Sequence, residues 1–427
     1  MSHRVLTGIT TTGTLHLGNY VGAIRPAVEA SRAPGVESFY FMADFHALIK
    51  CDEPDRIARS SRAIAATWLA AGLDPAKVTL YRQSDIPEIP ELTWLLTCVT
   101  AKGQMNRAHA YKAAVDAAVA AGEDPDANVT MGLFSYPVLM AADILMFNAH
   151  RVPVGKDQVQ HIEMTRDIAQ RFNHLFGQGR EFFVLPEAQV DAEMELLPGL
   201  DGRKMSKSYD NVIPLFEGGS KALKEAVARI VTDSNLPGEP KEPEGQTLVT
   251  LYDAFATPAQ RAAFRAALRG GLGWGEAKQQ LVDLIEGQIG PMRARFDQLM
   301  ANPEELEAIL QAGAARARAI AVPFLKELRA AVGLRPYTQT ATTAVAKAEK
   351  AALPVFKQYR EADGKFYFKL LSADGALLLQ SNPFEQGRDA GQWVARLKKD
   401  GLSADAPVTR EGSEADIAAA LAAFQEG

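Results

Sequence analysis

"RVLTGITTTGTLHLGNYVGAIRP", residues 4–26, sets the fold class. Its opening "RVLTGIT" reads as a strand. The turn that follows carries Gly8, Gly13 and Gly18, where backbone can approach a ligand closely, and leads into a helix from Gly18 onward whose first N–H groups are expected to be free. A lone glycine-rich turn is weak evidence. The His-x-Gly-Asn step at His16, Leu17, Gly18 and Asn19 gains weight from a distant partner, "GRKMSKSYDN" at residues 202–211. That run sets Arg203, Lys204 and Lys207 and the hydroxyls of Ser206 and Ser208 beside a glycine, with Met205 among them. Alone it reads as a solvated surface turn. Paired with a second phosphate-handling element, it reads as a loop that wraps polyphosphate.

The rest of the first half alternates β-rich runs with amphipathic helices, as an α/β domain with a parallel sheet does. "ESFYFMAD" and "KVTLYRQS" are the next strands. Between them, residues 52–75 predict a crossover helix with Asp52 as N-cap, Pro54 in the first turn, Ile57, Ile64 and Trp68 on one face, and a stop near Gly72 and Pro75. "QHIEMTRDIAQRFNHLFG" places Met164, Ile168 and Phe172 at i, i+4 and i+8 and ends at Gly177. The expected fold is a Rossmann-like parallel-sheet catalytic domain over 1–214.

After residue 214 the composition shifts. "SKALKEAVARIV", "TPAQRAAFRAALRG", "WGEAKQQLVDLIEGQIGPMRARFDQLM" and the run from Pro303 to Gly333 are helical in period, giving a helical domain over 215–334. Residues 335–352, rich in Ala, Thr and Lys, read as a linker. Over 353–427, "KFYFKLLSADGALLLQS" has two apolar runs joined by Ala373-Asp374-Gly375, a hairpin signal. "RDAGQWVARLKKDG" then reads as a short helix, so the tail is expected to be a small β-hairpin and helix module.

A 427-residue chain has room for two or three domains, and its 47% hydrophobic and 23% charged residues are those of a globular protein rather than a disordered one. The net charge of −6 leaves nucleic acid open, since a local basic groove can bind phosphates on an acidic body. "MSHRVLTGITTTG" lacks the pattern of a secretory signal, and the sequence reading finds no membrane-spanning stretch, so a cytoplasmic protein is expected. Cys51 and Cys98 stand far apart, suggest neither a disulfide nor a metal cluster, and are both expected in the core.

With these motifs in view, the chain resembles the class I aminoacyl-tRNA synthetases, whose hallmarks are the HIGH and KMSKS motifs. "HLGN" matches the first with Asn19 in place of the last histidine, and residues 204–208 match the second unchanged. Within the class it is similar to the tryptophan-specific family. "GNYVGAIRP", "YPVLMAADILMFN", "VPVGKDQVQHIEMTRDIAQRFN" and "VTDS" recur there in this order, so the likeness spans residues 3 to 334.

The resemblance implies activation of L-tryptophan by ATP and transfer to tRNA(Trp), with magnesium carried on the ATP phosphates, no protein-bound metal and a homodimer. Lys204, Lys207, His16 and Asn19 are then the catalytic candidates, because donors at fixed places stabilise charge developing on phosphate. The ATP site further takes in Thr10, Thr11, Thr12, Gly18, Gly155, Lys156, Asp157, Leu197, Met205, Ser206 and Ser208. Asp143, flanked by apolar residues, requires a donor: read alone it is equally a helix-internal acid paired with a neighbouring cation, and by resemblance the donor is the indole N–H. Leu6, His46, Tyr136, Met140, Val152, Val154 and Gln158 complete the expected tryptophan slot. Read singly, the apolar ones are core residues, and His46 is equally a structural histidine.

Several departures stand out. Thr10 occupies a place where many bacterial relatives have glutamine, the loop near Lys112 is long and offers that one lysine, and the tail from about residue 353 is absent from the minimal bacterial enzyme. Its "YREADGKFYFKLLSADG" resembles a small family of stand-alone hairpin-helix proteins. The helical region is expected to read the anticodon, while Arg293, Arg295, Arg316 and Arg318 are read as solvated helix faces. Two other readings remain open: a nucleotidyltransferase of the same sheet architecture that uses no tRNA, and a non-catalytic synthetase-like RNA-binding protein.

Overall fold

The structure, a computed structural model, describes residues 3–11, 13–190, 197–334 and 353–424. The expected linker at 335–352 lies outside these residues. By packing, the chain divides into two compact units, Met1–Arg335 and Pro336–Gly427.

In the first unit, β1 (His3–Thr10), β2 (Val36–Ala43), β3 (Thr79–Arg82), β4 (Arg151–Pro153) and β5 (Glu187–Gln189) form a parallel sheet in the order β3-β2-β1-β4-β5. The chain builds outward from β1 to β3, then returns to the other side of β1 for β4 and β5. Ligands of open α/β sheets bind where that order reverses, at the carboxyl ends of the strands. Here the reversal lies between β1, which ends at Thr10, and β4, which ends at Pro153.

The period of two in β2 sorts its side chains onto two cores. Tyr40 and Met42 face one, with Ile64, Trp68 and Leu80, while Phe39 and Phe41 face the other, with Leu6, Tyr81, Ile144 and Phe172. The first core also takes Leu17, Met205, Ile213, Leu281 and Ile285, so the two distant motifs and the later helices bury apolar side chains together.

Helix α1 (Pro54–Ala70) buries Ile64 and Trp68, and its N-cap is Glu53 rather than the expected Asp52. The residue before a proline is pushed to extended backbone, so with Pro54 opening the helix the cap falls on Glu53. Helices α2 (Glu88–Thr97), α3 (Met131–Met146) and α4 (Val159–Phe176) pack on the other face, and α4 buries the expected Met164, Ile168 and Phe172. Cys51 is buried, but Cys98, at the end of α2, is exposed, contrary to expectation.

Two long helices follow, α5 (Trp274–Ala301) and α6 (Pro303–Ala331). Helix α6 corrects the expectation of no spanning stretch, for it is long and apolar enough to cross a membrane. Its apolar face is used inside the protein: Ala314, Ala317, Ala321, Leu325 and Leu328 are buried against the sheet. At Gly313 a Cβ would lie 1.7 Å from the carbonyl oxygen of Leu80 on β3, so only glycine allows this helix so near the strand.

Of the four arginines read as solvated faces, Arg316 and Arg318 are exposed as read, Arg295 is half-buried and Arg293 is buried, and all four have partners. Arg293 pairs with Glu286, Arg295 with Glu305 and Arg318 with Glu88, while Arg316 donates to the carbonyls of Pro75 and Val78.

The second unit holds more than the expected hairpin. Strands β6 (Val355–Arg360), β7 (Phe366–Leu371), β8 (Leu377–Ser381) and β9 (Val408–Arg410) form an antiparallel sheet in that order. Helices α7 (Gly387–Asp400) and α8 (Glu414–Ala422) supply Val394, Leu397, Ile417 and Leu421 to a core with Phe368, Leu370 and Leu379.

Candidate functional site

His16 closes the turn after β1 and caps a helical stretch over residues 17–30, in which Tyr20–Ile24 is a wider π turn. The Asn19 side chain reaches back to accept the His16 backbone N–H at 3.1 Å. The helix start was expected to leave its N–H groups free, yet two are occupied. Leu17 N–H donates to the Ile213 carbonyl at 2.9 Å and Gly18 N–H to the Met205 sulfur at 3.3 Å. Both acceptors come from the lysine-rich loop and the segment after it, which also bridges His16 to Pro214.

That loop is ordered by Asn211, a buried residue the sequence reading passed over. Its Oδ1 accepts from Ser206 N–H at 2.8 Å, and its Nδ2 donates to Asp201 at 2.7 Å and to the Lys204 carbonyl at 3.1 Å. Asp210 turns the chain in left-handed backbone, φ 50°, a conformation that short polar residues tolerate. Met205 and Leu197 are core side chains, and Met205 N–H donates to the Leu197 carbonyl at 3.1 Å. Lys204 is exposed, and Ser206 is half-buried. Thr12 and the Ser208 side chain lie outside the described residues.

Lys207 is exposed overall, but its ammonium reaches back to the turn after β1. A Cβ on Gly13 would lie 2.7 Å from its Nζ, so the ammonium sits directly against this glycine. Burial holds the Lys207 pKa below the usual lysine range, and the positive charge of Arg56 lowers it further. Gly13, Thr14, Arg56, Arg59, Lys207 and Glu217 line a cavity of about 210 Å³ there. Three cations and one carboxylate around a small opening favour an anionic guest. Arg56 and Arg59 went unnoticed in the sequence because on α1 they have the spacing of an ordinary solvated face.

Beside this cavity, His16 is buried, and its pKa falls to about 4, first through burial and then through the Lys207 charge. Its imidazole is therefore neutral at pH 7. Among the described residues its Nδ1 has no hydrogen-bond partner, and neither has the buried hydroxyl of Thr11. Buried polar atoms usually have partners, and these two are among eight in the described residues that lack one, the others including Trp68 and Arg293.

A second cluster lies across the ends of β2 and β3. Asp143 on α3 is buried, His46 Nε2 lies 2.9 Å from its Oδ2, and Gln83 Nε2 donates to both of its oxygens at 2.8 and 2.9 Å. Burial raises the Asp143 pKa, against the His46 and Gln83 hydrogen bonds that favour the carboxylate. A carboxylate has about four acceptor positions, and these contacts use three, leaving one for a further donor. Gln83 was missed because nothing in "YRQS" distinguishes it from a strand-end polar residue.

Tyr136 stands edge-on to His46, with ring centres 6.3 Å apart, and its hydroxyl meets Nε2 of His161 at 2.7 Å. Met140 and Val154 are half-buried at the edge of the same core, and Leu6 and Val152 are buried within it. Gln158 donates to Asp157 at 2.8 Å, and Asp157 folds back so that a Cβ on Gly155 would meet its Oδ1 at 2.7 Å. Lys156 and Thr10 are exposed, the latter at the carboxyl end of β1.

A larger cavity, about 700 Å³, lies between α1 and α6, lined by Asp44, Arg62, Arg82, Ser84 and Glu307 among others. Its size does not make it the site. Its lining sets Asp44, Asp52, Asp85 and Glu307 against Arg62 and Arg82 and holds no residue of the two motifs.

A histidine-glycine turn and a lysine loop thus meet at the reversal of a parallel sheet, and a buried acid is held at the ends of its β2 and β3. Residues 1–286 match the family described as tRNA synthetases class I (W and Y), and the chain belongs to that class. The tryptophan–tRNA ligase of Pseudomonas putida is 63% identical over 413 residues, 96% of this chain and 91% of its own. That of Xanthomonas axonopodis pv. citri is 61% identical over 99% of this chain and 98% of its own. The chain is a member of the tryptophan–tRNA ligase family. A crystal structure of tryptophanyl-tRNA synthetase from Campylobacter jejuni, complexed with ADP and tryptophan, is 40% identical with a TM-score of 0.71. It covers 78% of this chain and 100% of its own, whereas the Xanthomonas match extends through the C-terminal unit.

Proposed function

We propose that the chain joins L-tryptophan to tRNA(Trp) in two steps at the described site, as a cytoplasmic homodimer, with ATP entering as its magnesium complex. A carboxylate oxygen of tryptophan attacks the α-phosphorus of ATP. The bond to the bridging oxygen breaks, and pyrophosphate leaves. A terminal ribose hydroxyl of the tRNA then attacks the carbonyl carbon of the adenylate, and AMP departs. Both nucleophiles belong to substrates, so the protein's work is positioning and charge stabilisation.

The observation that supports this most directly is the contact of Gly18 N–H with the Met205 sulfur, which brings Lys207 to Gly13. Lys207, with Arg56 and Arg59 behind it, receives the charge that develops on pyrophosphate. Lys204, exposed on the same loop, approaches from the solvent side. Neutral His16 and Asn19 hydrogen-bond the nucleotide, and the hydroxyl of Thr11 gains its partner there. Because a thioether is a weak acceptor, Gly18 N–H exchanges readily from sulfur to a phosphate oxygen. Gly155 and Asp157 lie at the end of β4, suited to the ribose. In the amino-acid slot, Asp143 offers its remaining acceptor position to the indole N–H, with Tyr136 and Met140 against the ring.

Tryptophan-dependent exchange of pyrophosphate into ATP tests this reading. Exchange with tyrosine and not tryptophan would overturn the specificity, and exchange with no amino acid at all would overturn the mechanism.

A further inference from the structure

The C-terminal unit covers one face of its sheet with α7 and α8. Phe356, Phe368, Leu370 and Leu379 point to those helices. Strand alternation and the cross-strand pairs Lys357↔Lys369 and Tyr359↔Tyr367 put the other set on the opposite face, joined by Gln380, the partner of Lys369. Among the described residues of this unit, no helix covers that face.

Its construction is unusual for a solvated surface. The rings of Tyr359 and Tyr367 lie nearly parallel, at 18°, with centres 5.8 Å apart. Tyr359 leans across β7, its hydroxyl donating to Gln380 Oε1 at 3.0 Å, and Lys369 Nζ sits 5.3 Å from its ring centre. Lys357 and Lys369 are directly opposed across the strands, a pairing of like charges that costs stability unless an anion lies between them. Two acids, Asp363 and Glu361, lie near Tyr367, and Asp363 is engaged at the hairpin end, where the Tyr367 hydroxyl donates to it at 2.7 Å.

We infer that this face binds an unpaired segment of RNA, with bases stacked on Tyr359 and Tyr367 and the backbone phosphate between Lys357 and Lys369. Aromatic rings on an open sheet, flanked by cations, suit bases that have left a helix, because every base offers a flat π surface. A peptide strand would instead pair along the open edge of β6 or β9, and there it would leave the opposed lysines on the sheet face unanswered. The inference goes beyond aminoacylation at the first unit but takes its RNA from it: the substrate tRNA is the intended occupant.

The test uses the full chain. Tyr367→Ala and Lys369→Gln, made separately, are measured for binding of tRNA and of a short single-stranded oligoribonucleotide, with heparin as a charge-only competitor. Both variants should weaken RNA binding roughly fivefold or more, with Lys369→Gln also flattening its salt dependence. Tyr367→Phe, which keeps the ring, should bind as the parent does. Tryptophan-dependent pyrophosphate exchange should be unchanged in all three, showing that the first unit is intact and separating this outcome from any failure of the adenylation reading. Crosslinking of 4-thiouridine tRNA should yield adducts at Tyr359 or Tyr367. Unaltered RNA affinity in Tyr367→Ala, loss through the lysine alone, or adducts confined to the first unit would each overturn the inference, as would a face that takes up an extended peptide and no RNA.

Discussion

Gly18 and Met205, 187 positions apart, share a contact of 3.3 Å between a backbone N–H and a thioether sulfur. It couples a turn that follows a strand to a loop that follows the sheet, and nearly everything else at the site depends on their meeting. A Cβ at Gly18 would lie 3.0 Å from His16 Nδ1 and 3.5 Å from Met205 Cβ. Gly18→Ala should therefore push the imidazole aside by a fraction of an ångström and lower the pyrophosphate exchange rate, by less than the roughly 10²-fold that a 1 Å misplacement costs. Full retention of rate would refute the positioning role.

Lys207→Met should cost about 10²–10³ in kcat of exchange, the scale of removing one donor to developing negative charge. Arg59→Gln should chiefly raise KM for ATP and weaken inhibition by pyrophosphate. Steady-state kinetics on both variants distinguish the two roles, and an Arg59 variant with parent values would remove that residue from the site.

Because burial first and the Lys207 charge second lower the His16 pKa to about 4, the folded protein binds fewer protons there than the unfolded chain between about pH 6.5 and 4. His16 thus contributes a loss of stability as pH falls through that window, levelling below it. Imidazole NMR should show His16 titrating well below the ordinary histidine range, and Lys207→Met should move it upward only in part, since burial is the larger cause. A normal midpoint in the parent protein would contradict this.

Asp143→Ala should erase most of the discrimination between tryptophan and phenylalanine in exchange, because a site built on a hydrogen bond rejects analogues lacking the donor far better than apolar contact does. Gln83→Ala leaves a buried carboxylate oxygen short of a partner and should destabilise the fold by about 1–3 kcal/mol in urea unfolding. An unchanged amino-acid preference in the first variant would remove the indole contact.

Gly313→Ala forces a methyl into the Leu80 carbonyl of β3, so α6 must shift, at a cost of about 1–3 kcal/mol or more. Urea denaturation with an unchanged midpoint would show that the helix is not held against the strand.

Local pattern determined much of this protein. Residues 4–10 read as a strand, Met164, Ile168 and Phe172 mark a helix face, Gly177 a stop, and the two motifs announce a nucleotide, since periodicity and turn chemistry act over a few residues. The helix cap was misread by one position because Pro54 constrains its neighbour more strongly than Asp52 attracts the cap. Strands β6 and β9 escaped notice because short, mostly exposed edge strands lack the apolar alternation that betrays a buried one.

What tertiary structure alone decided are the pairings across long stretches of chain. That Asn211 orders the lysine loop, that Gln83 and His46 hold Asp143, and that Arg56 and Arg59 face Lys207 follows from the packing of α1 and the loop against one sheet. The solvated reading of Arg293, which is buried, failed for the same reason: whether a helix face meets water or protein depends on what packs beside it, and spacing along the chain carries no record of that neighbour.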